Sequence, residues 1–378
     1  MDPLEALRRT IGDAARPAED ADAIAGVPAR FVATPASTLE ASAAIRVAAE
    51  HDLAIVVRGS GTKQDWGYPP RRLDLVLDTR RLTGVVEHAA GDLIAVVRAG
   101  TTVAELQSVL AEKGQQLALD APLAGATIGG MVAVNTSGPR RMAYGTVRDL
   151  IIGVTIVRAD GVIARAGGKV VKNVAGYDLS KLMTGSYGTL GLIAECAFRL
   201  HPRTPVSVYE RRQVSGPDEV GALLSNVAGL PLAFEIDATT DGAWEVAWQA
   251  RGEVANEAPA WWGQYPWRDG DIGLKLTAAL SKVPGLLAAA RHAHVRGSIG
   301  SGVLYAAMPG DTDTAVVEDL RAAAHAAGGH AVVLTAPQAV RDRLDLWGPV
   351  PGLELMRRIK AQFDPGGRFA PGRFAGGI

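Results

Sequence analysis

Cysteine is all but missing from this sequence: Cys196 stands alone among 378 residues. That excludes an internal disulfide framework and leaves no set of thiolates to ligate an iron–sulfur cluster. Neither sign of charge is in excess, with 39 Lys and Arg against 40 Asp and Glu. The basic surface expected of a nucleic-acid binder is therefore absent. No run approaches the roughly 20 apolar residues of a membrane span. The opening stretch MDPLEALRRTIGDAARPAED is charged and lacks the apolar core of a secretory leader. These absences predict a reducing, cytoplasmic setting, with any membrane association being peripheral or through a partner.

What is present is globular. Hydrophobic residues make up 48% and charged residues 21%, and the length calls for two or three packed units rather than one core. Cys196 lies in the apolar run from Leu192 to Leu200, which predicts a buried strand thiol. Residues 37–50 read as a helix, with Ser37 as cap and Glu40 completing a capping box. Thr102 to Lys113 is a second capped helix, with Glu105 in the box. Short strands are expected at Leu53–Val57, Asp74–Leu77 and Leu93–Val97. Asp149–Arg158 and Val162–Ala166 should form a hairpin about Asp160-Gly161. A Pro-containing segment at 201–205 marks a boundary. Beyond it, strands at Ala233–Ile236, Trp244–Ala250 and Val303–Ala307 mix with alanine-rich helices at 279–293 and 313–327. That pattern predicts an α+β domain with helices on an antiparallel sheet.

Three glycine-rich segments carry the chemistry. The first, Arg58-Gly59-Ser60-Gly61-Thr62, leaves a strand. Its glycines let backbone N–H groups approach a pyrophosphate, and Ser60 and Thr62 add hydroxyls. It is neither a Rossmann fingerprint nor a P-loop, because Pro69-Pro70 follow and no helix opens. Alone, it fits a tight strand-exit turn as well as a phosphate site. The second runs from Ala126-Thr127-Ile128-Gly129-Gly130 to Asn135, Ser137 and Gly138. The third starts at Gly168-Lys169 and includes Lys172-Asn173, Gly176-Tyr177-Asp178 and Gly185-Ser186-Tyr187-Gly188-Thr189-Leu190-Gly191-Leu192-Ile193. Three such segments in one chain are hard to explain as turns.

In this order, R-G-x-G-T, T-I-G-G-x-x-x-x-N-x-x-G, K-N-x-x-G-Y-D and G-S-x-G-T-L-G resemble the FAD domain of the vanillyl-alcohol oxidase / p-cresol methylhydroxylase superfamily. The closing F-D-P-x-x-x-F-x-P-G-R is similar to the tail of its 2-hydroxyacid branch. The length and V-K-N-V-A-G-Y-D are similar to the E-subunit family of the bacterial glycolate oxidases (glycolate dehydrogenases). The resemblance implies an α+β fold: a two-part PCMH-type FAD-binding domain over 28–203 after an N-terminal segment 1–27. A smaller antiparallel-sheet substrate or cap domain would follow over 206–345, with a tail, 346–378, returning to the FAD domain. It implies that Arg58 to Thr62 wrap the FAD pyrophosphate. Ala126, Thr127, Ile128, Gly129, Gly130, Asn135, Ser137 and Gly138 would pass beside the flavin and its ribityl-phosphate arm. Gly188, Thr189, Gly191 and Ile193 would serve the adenine side. Tyr177 and Asp178 would either close the site or brace the following helix. Arg368 and Arg373 would either reach the flavin region or only salt-bridge the domain.

Two departures matter. Thr62 stands where covalent relatives carry a histidine, so FAD is expected to be non-covalent. The H-x-G-D-G-N-x-H motif of the catalytic hydroxyacid subunits is missing: the region reads Arg291-His292-Ala293-His294-Val295-Arg296-Gly297-Ser298-Ile299-Gly300-Ser301-Gly302. His292 and His294 are read as solvated or capping residues at a helix end, no metal site is expected, and the catalytic base is unassigned. Lys275 and Arg268 either meet a carboxylate in the substrate domain or stand as surface charges. Trp261 to Trp267 is a flavin-facing cluster, a partner surface or a packed loop. The function implied is an FAD subunit of a glycolate (2-hydroxyacid) dehydrogenase complex. A homologous catalytic flavoprotein and an iron–sulfur subunit would be its partners, and a small 2-hydroxyacid the substrate. A stand-alone alcohol or hydroxyacid oxidase and a non-catalytic assembly subunit remain open.

Overall fold

The computed structural model describes residues 1–168, 178–203, 206–226 and 231–378. Tyr177 and most of the K-N-x-x-G-Y-D segment lie outside the described residues. The chain forms two compact units. One comprises residues 1–136, 146–203 and 350–378, the other 137–145 and 204–349. Residues 137–145, inside the span 28–203, thus cluster with the second unit.

The first unit holds two main sheets. In the smaller, strands Phe31–Ala33 and Ile55–Arg58 flank Leu75–Asp78 in parallel, and Ala15–Pro17 adds antiparallel at the edge. Leu75, Val76 and Leu77 are fully buried, as expected of a strand covered on both faces. The second sheet is antiparallel, in the spatial order Val85–Ala89, Ile94–Arg98, Leu192–Arg199, Ile151–Val157, Ile163–Gly167. Its core side packs Val97, Ile151, Cys196 and Phe198 with the helix residues Leu106, Leu110 and Met131. Cys196 is a buried free thiol, and burial pushes it far above an ordinary cysteine.

Local chemistry explains the helices. Helix Val103–Ala111 opens on a reciprocal capping box between Thr102 and Glu105. Helix Thr38–Glu50 is capped by Ser37, but the Glu40 carboxylate accepts from Ala36 N at 2.8 Å, one residue earlier than a box requires. The first residues of the expected strand 149–158 instead complete a helical turn, Val147–Leu150, which Thr146 and Asp149 box. Helix Ile128–Val134 falls inside the second glycine-rich segment, for which no helix was expected. Thr127 caps it, and Ile128 N and Gly129 N donate to the carbonyls of Thr101 and Ala99. Helices Pro3–Ile11 and Pro217–Asn226 carry no expectation from the sequence.

The C-terminal segment is built into the first unit. Ile55 N donates to Arg368 O and Ala370 N to Ile55 O, both at 2.7 Å, so the tail extends the parallel sheet by a bridge. Phe369 is fully buried against Ile55 and Leu75 in the core. Lys360 on helix Leu353–Phe363 clamps the turn, donating to Thr189 O, Phe369 O and the Asp364 carboxylate.

The second unit is a seven-stranded antiparallel sheet. Its spatial order is Ser207–Val214, Trp244–Arg251, Ala233–Ala238, His294–Ser298, Val303–Met308, Ile272–Thr277, Ala331–Thr335. Helix Thr314–Ala326 packs on it, and helix Val283–Ala289 packs against that helix. The helix expected over 279–293 is shorter, and His294 begins a strand instead of ending a helix.

Candidate functional site

The loop Gly59-Ser60-Gly61-Thr62 leaves strand Ile55–Arg58, and the strand end is braced from below. Arg58 Nη2 donates to Asp22 Oδ1 at 2.8 Å and to Asp78 Oδ2 at 3.0 Å. Asp78 is fully buried and also takes Arg80. Hydrogen bonds from Arg16, then the Glu19 N–H and Arg58, hold the Asp22 carboxyl well below the usual carboxylate range. The Arg58 side chain therefore supports the loop from behind and does not line the cavity described next.

That cavity encloses about 770 Å³, its open mouth included. All three glycine-rich segments reach it. Gly59, Ser60, Gly61 and Thr62 line one side, and Thr127, Gly129 and Gly130 another. Gly188, Gly191, Ile193 and Arg373 complete the set that the sequence picked out. Two glycines show why the walls are bare. A Cβ on Gly59 would fall 2.3 Å from Thr127 Oγ1, and one on Gly129 would fall 2.7 Å from the Ala99 Cβ. Gly61 (φ +80°) and Gly188 (φ +72°) take backbone conformations closed to most side chains and leave open space beside them.

Among the described residues, the other expected ones do not line the cavity. Ala126 and Ile128 are buried in the core. Asn135 is the helix C-cap with φ +50°. Its Oδ1 and the Ser186 Oγ are buried without a hydrogen-bond partner, beside the helix end and the Tyr187-Gly188 turn that do line it. Orphan buried oxygens at that place fit a ligand donor. Thr189 is buried, its hydroxyl donating to Ser186 O at 2.7 Å. Asp178 accepts from Ser180 N and Lys181 N as the cap of helix Leu179–Met183. Ser137 and Gly138 belong to the second unit. Arg368 donates to Ala159 O.

Arg373 is 5% exposed. Nη1 donates to Gln64 Oε1 at 2.9 Å, while Nη2 donates to Gln64 O at 2.6 Å and to Trp66 O at 2.8 Å. The C-terminal segment thereby folds the Lys63–Gly67 stretch into the cavity wall. Sequence reasoning missed Lys63, Gln64, Trp66, Thr79, Ala99 and Tyr187, which also line it. Position was the available signal for four of them: Lys63, Gln64 and Trp66 follow R-G-S-G-T, and Tyr187 lies inside G-S-x-G-T-L-G.

The second unit carries a different set. His294 Nε2 lies 2.6 Å from Asp237 Oδ1, and Arg296 pairs with the same carboxylate. His294 is thus a partnered strand residue, not a solvated helix end. Among the described residues no group of three His, Cys, Asp or Glu could hold a metal. Lys275 departs from the surface alternative. It lies on strand Ile272–Thr277 and is desolvated, which pushes its ammonium down. Its charged neighbourhood is Tyr305 and Arg141, and Arg141 Nη2 lies 3.1 Å from the Tyr305 hydroxyl. Arg268 is exposed, as read. In the aromatic run, Tyr265 stacks on Trp267 at 4.5 Å and both meet the Tyr305 ring edge-on.

Residues 29–167 match the family described as FAD binding domain. The chain is 41% identical over 163 residues to the glycolate oxidase subunit GlcE of Escherichia coli (strain K12), covering 43% of this chain and 46% of that one. It is 37% identical over 185 residues to the glycolate oxidase subunit GlcD of Bacillus subtilis (strain 168), covering 47% and 39%. It is 36% identical over 172 residues to the D-lactate dehydrogenase of Archaeoglobus fulgidus, covering 46% and 39%. The matches span less than half the length of these curated relatives. A solved structure of alkyldihydroxyacetonephosphate synthase superposes with a TM-score of 0.69 at 14% identity, over 95% of this chain and 82% of that one. That likeness speaks for the fold alone. The fold is α+β and PCMH-type, the cofactor is FAD, and the chain carries an FAD binding domain of the family matched over residues 29–167.

Proposed function

We propose that this chain is the FAD-binding subunit of a glycolate (2-hydroxyacid) dehydrogenase complex. The observation that carries the reading is the convergence of the three glycine-rich segments on one cavity, together with relatives named as glycolate oxidase subunits. In this reading the FAD domain runs over 28–203, with 206–345 as substrate domain and 346–378 returning to the FAD domain. Bound FAD supplies the acceptor for the hydride on the hydroxyacid α-carbon. The chain's own residues hold the cofactor: Gly59 to Thr62 through backbone N–H groups and hydroxyls, with the bare glycines Gly129, Gly130, Gly188 and Gly191 giving it room. With Thr62 at the position of a linking histidine, the cofactor is held non-covalently.

Electrons would leave through an iron–sulfur partner, since the one cysteine is buried and alone. Among the described residues no helix is long and apolar enough to cross a membrane, so a cytoplasmic chain would meet a membrane only through partners.

A second reading, turnover by this chain unaided, is favoured by Arg141 and Lys275. Two desolvated cations share Tyr305, with the buried Glu235 carboxylate acting on Arg141 and Tyr305, and the pair suits the carboxylate of a small hydroxyacid. The test is the visible spectrum of the purified chain before and after anaerobic glycolate or D-lactate. Bleaching shows that the chain oxidises substrate alone. An unchanged flavin spectrum that bleaches only with the partner subunits supports the complex. Protein that stays colourless with added FAD sinks the reading.

A further inference from the structure

The cavity of the first unit is lined by two cationic side chains, Lys63 and Arg373, and by no acidic one among the described residues. The Arg373 guanidinium is turned to protein carbonyls, on Gln64 and Trp66. Lys63 differs. Its Nζ has a single side-chain hydrogen bond, to the Thr62 hydroxyl at 3.2 Å, and a hydroxyl leaves an ammonium its charge and two donors. A partly buried cation facing a cavity without a carboxylate bonded to it wants an anion there.

We propose that Lys63 is the cation that meets the pyrophosphate of FAD, so that its protonation sets cofactor affinity. The inference rests on the FAD reading above and goes one step further. The pyrophosphate is the fixed negative charge of oxidised FAD, and Lys63 directly follows the Gly59–Thr62 loop that lines the same cavity. Backbone amides and a lysine then divide the work: the amides fix position and the ammonium supplies neutralisation.

The proton balance gives the sign. Burial pushes the free Lys63 ammonium down to about 8, with Asp65 opposing that fall. A bound anion raises it again. FAD binding therefore takes up a proton above pH 8, and affinity falls as pH rises. The charged groups facing Lys63 are Asp65 from its own loop and Arg373 from the C-terminal segment. Carboxylates and guanidiniums as classes titrate far from this window.

The experiment is calorimetric titration of the full-length apoprotein with FAD at pH 7.0 and 9.0, for the wild type, Lys63→Met and Lys63→Arg. ADP is titrated in parallel as a pyrophosphate probe without flavin, and melting of each apoprotein checks folding. The wild type should bind FAD about tenfold more weakly at pH 9.0 than at 7.0. Lys63→Met should be weaker at pH 7.0 by about tenfold to a hundredfold, for FAD and ADP alike, and should lose the pH slope. Lys63→Arg should keep the pH 7.0 affinity and also lose the slope. The proposal is overturned if Lys63→Met binds FAD as tightly as the wild type at pH 7.0, or if the slope survives in either variant. It is overturned too if FAD affinity falls while ADP affinity does not, which would place the charge at the flavin ring. A wild-type apoprotein that binds no FAD at either pH refutes instead the cofactor reading beneath it.

Discussion

The Thr127 hydroxyl occupies the space where a side chain on Gly59 would begin: a Cβ there would lie 2.3 Å from Oγ1. The same oxygen accepts from Gly130 N and caps helix Ile128–Val134. One contact therefore locks the first glycine segment to the second. We expect Gly59→Ala to force the two apart, lowering both FAD affinity and melting temperature. Thr127→Ala alone should cost about 1 kcal/mol through loss of the cap. In the double variant the penalty of Gly59→Ala should shrink, because the obstructing oxygen is gone. Additive losses in a double-mutant cycle would refute the packing account.

Arg373 is the second lock, joining the C-terminal segment to Gln64 and Trp66. Arg373→Ala leaves the buried Trp66 carbonyl and the half-buried Gln64 carbonyl without this donor, at a cost of about 1–3 kcal/mol. Lysine cannot span three acceptors in a fixed fork, so Arg373→Lys should recover only part of the loss. The flavin-to-protein ratio after gel filtration is the readout. A full flavin complement in Arg373→Ala would show that the tail does not shape the cavity.

Asp78 contributes to acid stability. Burial would raise its carboxyl, but hydrogen bonds from Arg80 and then Arg58 outweigh that and hold it below the ordinary range. A folded-state value below the unfolded one gives stability that is present above about pH 4 and lost as pH falls through the folded value. Asp78→Asn should thus be less stable at pH 7 by about 3 kcal/mol. The gap to the wild type should narrow as pH drops toward 3. Urea unfolding across that range checks the sign, and a gap independent of pH would contradict it.

Lys275 should show a trade between stability and ligand. Its ammonium is desolvated beside Arg141 and Tyr305, so Lys275→Met removes a strained charge. We expect melting to rise by about 2–4 °C. If the second unit receives a hydroxyacid carboxylate, the same variant should lose hydroxyacid-dependent flavin reduction at unchanged FAD content. Stability and reduction that both stay at wild-type values would remove Lys275 from the site.

Cys196 is a control. Fully buried, with its thiol pushed far up, it should resist maleimide in the native state and react once the protein unfolds. Rapid native labelling would show that the antiparallel sheet of the first unit opens.

The sequence by itself determined the cofactor chemistry, because that chemistry needs bare backbone in fixed order. Gly59, Gly61, Gly129, Gly130, Gly188 and Gly191 were legible, and all of them line the cavity. Caps such as Ser37 and Thr102 were legible too, since a cap acts within four residues of itself. Tertiary structure decided the rest. Gly129-Gly130 weaken any local case for a helix, yet Ile128–Val134 is one, because Thr101 and Ala99 across the unit satisfy its first N–H groups. Arg373 reaches a loop some three hundred residues earlier in the chain, a distance no local pattern encodes. Lys275 alternates with apolar neighbours as a solvent-facing strand residue would. Only the neighbouring strand that carries Tyr305, and the turn that brings Arg141 beside it, turn that face into a desolvated one.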